Sequence, residues 1–160
     1  MRASLALAIS LSLSSTITLA EVTTEHGYFR ATPPGVTNAA AFITLHNSDN
    51  APVSLIQAQT PVAKKAELHN HIEHDGMMQM RQVEAVEIPS QGSISLKPGS
   101  YHIMLMGLNK PLAEGNEETL TLKFSNGQST QLTLQVKKTQ GNTMSNGSHQ
   151  GSHSMPMKSQ

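Results

Sequence analysis

Turn residues interrupt this chain so often that no apolar period survives long enough to build a helix. Between the interruptions lie ten short runs of alternating or β-branched residues: YFRAT (28–32), AAFITLHN (40–47), VSLIQAQ (53–59), AELHNHI (66–72), MMQMRQV (77–83), AVEI (85–88), SISL (93–96), YHIMLM (101–106), ETLTLKF (118–124) and STQLTLQV (129–136). The connections PPG, NSDNAP, HDG, PSQG, KPGS, KPLAEGN and SNGQ all carry Gly, Pro, Asn or Asp, which supply the backbone angles of tight turns. The pattern predicts an all-β single domain, a Greek-key β-sandwich or barrel. Its expected core is Phe42, Leu45, Val53, Leu55, Leu68, Val83, Ile94, Leu96, Leu105, Leu120, Leu122, Leu132 and Leu134.

The two ends depart from this pattern. Residues 1–20, MRASLALAISLSLSSTITLA, combine one Arg, a run of small and apolar residues, and Thr18-Leu19-Ala20 as a cleavage motif. The run is too weakly hydrophobic for a membrane span. It reads as a secretory signal peptide that directs the mature chain to the periplasm of a Gram-negative cell. From Gly141 onward, GNTMSNGSHQGSHSMPMKSQ is rich in Gly, Ser and Asn, and residues 141–160 are expected to form a flexible tail. Residues 21–140 remain as one domain, long enough for a single core.

Charge and cysteine content exclude several functions. Eleven Lys and Arg balance eleven Asp and Glu, and loss of Arg2 with the signal leaves ten bases against eleven acids. Neither nucleic acid nor an anionic membrane is an expected partner, and no membrane insertion is expected after signal cleavage. The sequence contains no cysteine, so disulfides, thiolate chemistry and a cysteine-borne lipid are not expected. With no Trp and two Tyr, nothing suggests the substrate pocket of an enzyme.

What the sequence does concentrate is imidazole and thioether. Residues 67–80, ELHNHIEHDGMMQM, hold three of the eight histidines and three of the nine methionines. If His74 and Asp75 are the central residues of the turn, position 73 pairs with 76, 71 with 78, and 69 with 80. His69 and Met80 then face each other with β-carbons about 5 Å apart. A second cluster, YHIMLMG, places His102 and Met104 on one face of a strand, because side chains two residues apart point the same way. Two such His/Met pairs, brought together, make an N₂S₂ site.

Ligand chemistry then selects the metal. Thioether sulfur is soft and uncharged, poorly matched to Zn²⁺, Ca²⁺ or Mg²⁺ and well matched to Cu(I). Imidazole accepts both oxidation states of copper, and Ag⁺ should bind as well. A blue-copper centre is excluded, since it requires a cysteine. Several residues have plainer readings. Met77, Met78 and Met106 suit gaps in a core. His71 shares a face with His69, as a surface residue or an auxiliary ligand. His74 lies at the turn, and His26 and His46 have no methionine beside them and are given no role.

The spacing of His69, ten residues, Met80, twenty-one residues, His102, one residue and Met104 resembles the signature of the PCu(A)C family of periplasmic copper chaperones. The stretches RATPPGVTNAAAFITLHN (30–47), ELHNHIEHDGMMQMRQVEAVEIP (67–89), LKPGSYHIMLMGLNKPLAEG (96–115) and LTLKF (120–124) are similar to that family too, so the resemblance spans about residues 26 to 137. It implies a cupredoxin-like β-sandwich without the cupredoxin cysteine, holding Cu(I) through His69, Met80, His102 and Met104. It further implies delivery of copper to the copper sites of haem–copper (cytochrome c) oxidase. The partner would be an apo copper-accepting protein, either an oxidase subunit or a Sco-type chaperone. Some members carry a His- and Met-bearing extension for a second copper, often Cu(II). The tail resembles it, with His149, His153, Met155 and Met157 as candidates, although a low-complexity linker has the same composition. A copper-storage or detoxification binder without a delivery partner would use the same four donors.

Overall fold

The computed structural model of the protein describes residues 22–138, apart from Asp75 and the side chain of His74. The signal-peptide reading of residues 1–20 and the tail donors His149, His153, Met155 and Met157 lie outside the described residues. Ten strands follow in chain order: β1 (Val22–Arg30), β2 (Asn38–Asn47), β3 (Val53–Gln59), β4 (Ala63–His74), β5 (Met77–Gln82), β6 (Val86–Ile88), β7 (Gly92–Leu96), β8 (His102–Leu108), β9 (Glu117–Phe124) and β10 (Ser129–Lys137). The expected all-β class is the one observed.

The strands hydrogen-bond in the order β5-β4-β8-β2-β1-β10-β9-β3-β6, and β7 joins the chain of pairings through β2. All the pairings are antiparallel except that of β1 with β10. One edge of β2 is divided: Asn38–Ala41 pair with β8, and Ile43–Asn47 pair with β7. That division lets the ladder fold over on itself and enclose a core.

Alternation decides which side chains enter that core. Ala39, Ala41, Ile43 and Leu45 of β2, Leu68 of β4, and Ile103 and Leu105 of β8 turn inward, joining Phe29, Leu55, Leu120, Leu122 and Phe124. Each fully buried Leu or Phe contributes roughly 1.5–3 kcal/mol through removal of apolar surface from water. Of the expected core, Val83, Ile94 and Leu132 pack only partly buried against it. Phe42 is a correction of another kind: it is 4% exposed, yet it lies on the opposite face of β2, outside the core cluster.

Two further differences from the sequence reading have local causes. β1 begins at Val22 and not at Tyr28, because a bulge between Glu25 and Tyr28 breaks the alternation there. His26 sits in that bulge at a φ of 53°. The β4–β5 hairpin turns one residue later than expected: His74 pairs with Met77, Glu73 with Met78, His71 with Met80 and His69 with Gln82. Gly76 takes a φ of 75°, the left-handed angle that a two-residue hairpin loop demands, and Asp-Gly is a favoured sequence for it. The register therefore slips by two, which changes every partner but leaves each side chain on its own face.

Candidate metal centre

The side chains singled out by the sequence lie on the outer face of the sheet, behind the core. In β8, Ile103 and Leu105 face inward, so His102 and Met104 face out. In β4, Leu68 faces inward, so Glu67, His69 and His71 face out. Register brings them together: His69 lies opposite His102 and Glu67 opposite Met104 on one edge of β4, while His71 lies opposite Met80 on the other. Met104 has Ala40 as its partner on β2, a small residue that leaves room for the thioether.

Loops wall this face. The connection from Ala31 to Thr37 is tied down by reciprocal bonds, from Thr32 N to the Leu112 carbonyl (2.9 Å) and from Leu112 N to Thr32 Oγ1 (3.0 Å). On another side the KPGS turn closes with Ser100 N on the Lys97 carbonyl (3.1 Å), and Gly99 adopts a φ of 79°. Between these walls and the β4–β5 hairpin runs an open groove of about 440 Å³, whose lining includes His71, Met80, His102, Met104, Phe42 and Val36. Three of the four expected donors, Met80, His102 and Met104, line it together. The second imidazole at the groove is that of His71, and His69 stands beside His102, outside the lining.

Hydrogen bonds fix which nitrogen each ring leaves free. His102 Nδ1 is 2.9 Å from the Ser100 carbonyl, which can only accept, so Nδ1–H donates and Nε2 keeps the lone pair in the neutral ring. Burial pushes the His102 imidazole below its ordinary pKa of 6.5; the Ser100 bond opposes this shift, and His71 and His69 add to it. His69 Nε2 is 2.9 Å from Glu67 Oε2, and Lys65 Nζ contacts the other carboxylate oxygen. The bonds from His69 and then Lys65 hold the Glu67 carboxyl below its usual range, against its burial. An ionised Glu67 accepts, so Nε2–H donates and the lone pair of neutral His69 lies on Nδ1. That nitrogen, and Nδ1 of His71, are buried and find no hydrogen-bond partner among the described residues.

Glu67 is the residue that sequence reading missed. Its signal was present: in ELH, Glu67 and His69 share a face two residues apart, where a carboxylate can orient an imidazole. Among the described residues no three His, Asp or Glu side chains are placed to hold an ion by themselves. The other donors lining the groove are the thioethers of Met80 and Met104, and thioether sulfur suits a soft cation. His26 and His46 are set apart, flanking Glu25 Oε2 at 3.7 and 3.3 Å.

The LpqE-like family model ("Putative lipoprotein LpqE-like") matches residues 22–136. The chain belongs to the LpqE-like family, of the PCuAC type. This LpqE-like chain is 31% identical over 117 residues to "Putative lipoprotein Lxx21020" of Leifsonia xyli subsp. xyli (strain CTCB07), covering 72% of this chain and 69% of that one. It is also 31% identical over 103 residues to "Uncharacterized protein RP573" of Rickettsia prowazekii (strain Madrid E), covering 64% of this chain but only 56% of that one. The family description and the Leifsonia relative's name speak of lipoproteins, whereas these 160 residues contain no cysteine.

Solved structures share the fold. The copper-bound PCuAC domain from PmoF2 superposes with a TM-score of 0.63 at 21% identity, over 74% of this chain and 93% of that domain. The solution structure of CuI-DR1885 from Deinococcus radiodurans gives a TM-score of 0.60 at 31% identity, over 78% of this chain and 82% of that protein. The cupredoxin-like PCuAC fold expected from the resemblance is thus the fold of this LpqE-like chain.

Proposed function

We propose that this protein is a periplasmic copper chaperone. In this reading it binds Cu(I) through His69, Met80, His102 and Met104 and passes it to an apo copper-accepting protein that serves cytochrome c oxidase. The observation that carries the reading is the gathering of two thioethers and lone-pair imidazole nitrogens on one outer sheet face. Membership of a family with a Cu(I)-loaded relative supports it. Buried nitrogens without partners fit a cation that would satisfy them.

Exposure suggests how transfer works. His102 is 3% exposed and Met80 is 47% exposed, so the ion would be anchored at one side and reachable at the other. A donor from the acceptor protein can then enter on the Met80 side before the last chaperone ligand leaves. Neutral thioethers assist, since their release separates no charge. No bond is made or broken in any substrate, which is why the protein is proposed as a carrier and not an enzyme.

The mature chain, titrated with Cu(I) against a chromophoric competitor and then mixed with an apo oxidase copper domain, tests both halves of the proposal. One Cu(I) per chain, moving to the acceptor, is the expected result. Tight binding without transfer would turn the reading into copper storage, and no Cu(I) binding would end it.

A further inference from the structure

We infer that His71 is a copper donor of this chain, engaging the ion from the groove side together with Met80 and His102. The inference rests on the Cu(I) reading above, but His71 lies outside the four-residue spacing that suggested that reading.

Placement is the first reason. His71 and Met80 are direct partners across the β4–β5 ladder, so their β-carbons stand about 5 Å apart on the outer face. Both side chains line the groove, along with His102 and Met104. Ring geometry is the second. The His71 and His102 rings stack with centroids 5.1 Å apart and planes 29° from parallel. Two imidazoles bound to one ion at about 2 Å per bond keep their ring centres roughly 4.5–6.5 Å apart, so this pair already stands at the right separation, and rotation of the stacked rings is what would bring their in-plane lone pairs to one cation.

The third reason is an unmet need. His71 Nδ1 is buried without a hydrogen-bond partner among the described residues, an arrangement that a bound cation would relieve. His69 offers a second imidazole to the same place, its ring centre 5.8 Å from that of His102 and its Nε2 held by Glu67. In this proposal the two imidazoles take turns, so that the ion keeps one of them at a time beside His102. His69 serves from the Glu67 side, and His71 serves from the groove, beside the half-exposed Met80. Exchange of one for the other lets copper move toward the open side without losing a nitrogen donor, which makes His71 and Met80 the pair through which the ion enters and leaves.

The test uses the mature chain with ¹⁵N-labelled histidine, with imidazole nitrogens followed by NMR as one equivalent of Cu(I) is added. Cu(I) affinities are measured beside it for His71→Ala and His71→Phe; the second variant keeps an aromatic ring against His102. The expected result is a shift of the His71 nitrogen signals on loading and an affinity at least about tenfold lower in both variants. His71 nitrogens that stay unmoved by a full equivalent, with wild-type affinity in both variants, overturn the inference. A wild-type chain that takes up no Cu(I) at all overturns the copper reading instead, a result distinct from one in which copper binds and His71 is silent.

Discussion

Glu67 and His69, two residues apart on β4, are joined by a 2.9 Å hydrogen bond between Oε2 and Nε2. The bond fixes the imidazole tautomer and leaves Nδ1 as the free nitrogen, the same arrangement by which carboxylates orient metal-binding histidines. Burying an ionised carboxylate is costly unless it is paired, and Glu67 is paired on both oxygens. Glu67→Gln keeps the shape but removes the charge that dictates the tautomer. We expect Cu(I) affinity to fall by about ten- to a hundredfold, with the metal-free circular dichroism unchanged. Competitor titration of the variant beside wild type reads this directly; equal affinities would show that Glu67 does not orient a ligand.

The two thioethers should discriminate between oxidation states. Met80 projects from an edge strand at 47% exposure, while Met104 sits half-buried between Glu67 and Ala40. Sulfur prefers Cu(I), whereas imidazole serves both ions. Met80→Ala and Met104→Ala are each expected to weaken Cu(I) by about tenfold or more, roughly 1.4 kcal/mol, and Cu(II) by less. Measuring both affinities in each variant decides the matter, since equal losses for the two ions would remove sulfur from the site.

Most of this face was legible in the sequence, because alternation is local. His102-x-Met104 needs only strand geometry to put both side chains on one face, and so does Glu67-x-His69-x-His71. The hairpin partner of Met80 was not legible. It depends on whether the turn centres on His74-Asp75 or one residue later, and the left-handed φ of Gly76 settles it. Because the slip is by two, Met80 stayed on the correct face while its partner changed from His69 to His71. Phe42 reads as core from its apolar character alone. Its place against Tyr28 and His102, at ring distances of 5.2 and 6.4 Å, arises only when β1, β2 and β8 assemble. The Thr32–Leu112 tie that holds one wall of the groove joins residues eighty apart, and no local pattern encodes it.

The tail carries its own prediction. His149, His153, Met155 and Met157 bring two imidazoles and two thioethers within nine residues of one another in the sequence. Removal of residues 141–160 is expected to leave the Cu(I) stoichiometry at one and to abolish a second site that takes Cu(II). Equal copper uptake by the full-length and shortened chains would reduce the tail to a linker.

Acid should weaken both the fold and the site, through His102 in particular. Burial keeps its folded pKa below the ordinary 6.5, so between those two values the unfolded chain binds more protons than the folded one. The stability associated with neutral His102 is therefore fully present above about pH 6.5 and is lost as pH falls through the folded pKa. Urea unfolding of metal-free protein at about pH 7.5 and 5 should show a larger loss for wild type than for His102→Leu, which has no proton to take up. Metal binding follows the same sign, because a ligating nitrogen must be unprotonated. Cu(I) affinity should decline as pH drops below about 6.5, and His102 should surrender its share later than an ordinary histidine would. Affinity that stays flat across that range would mean that imidazole does not bind the ion.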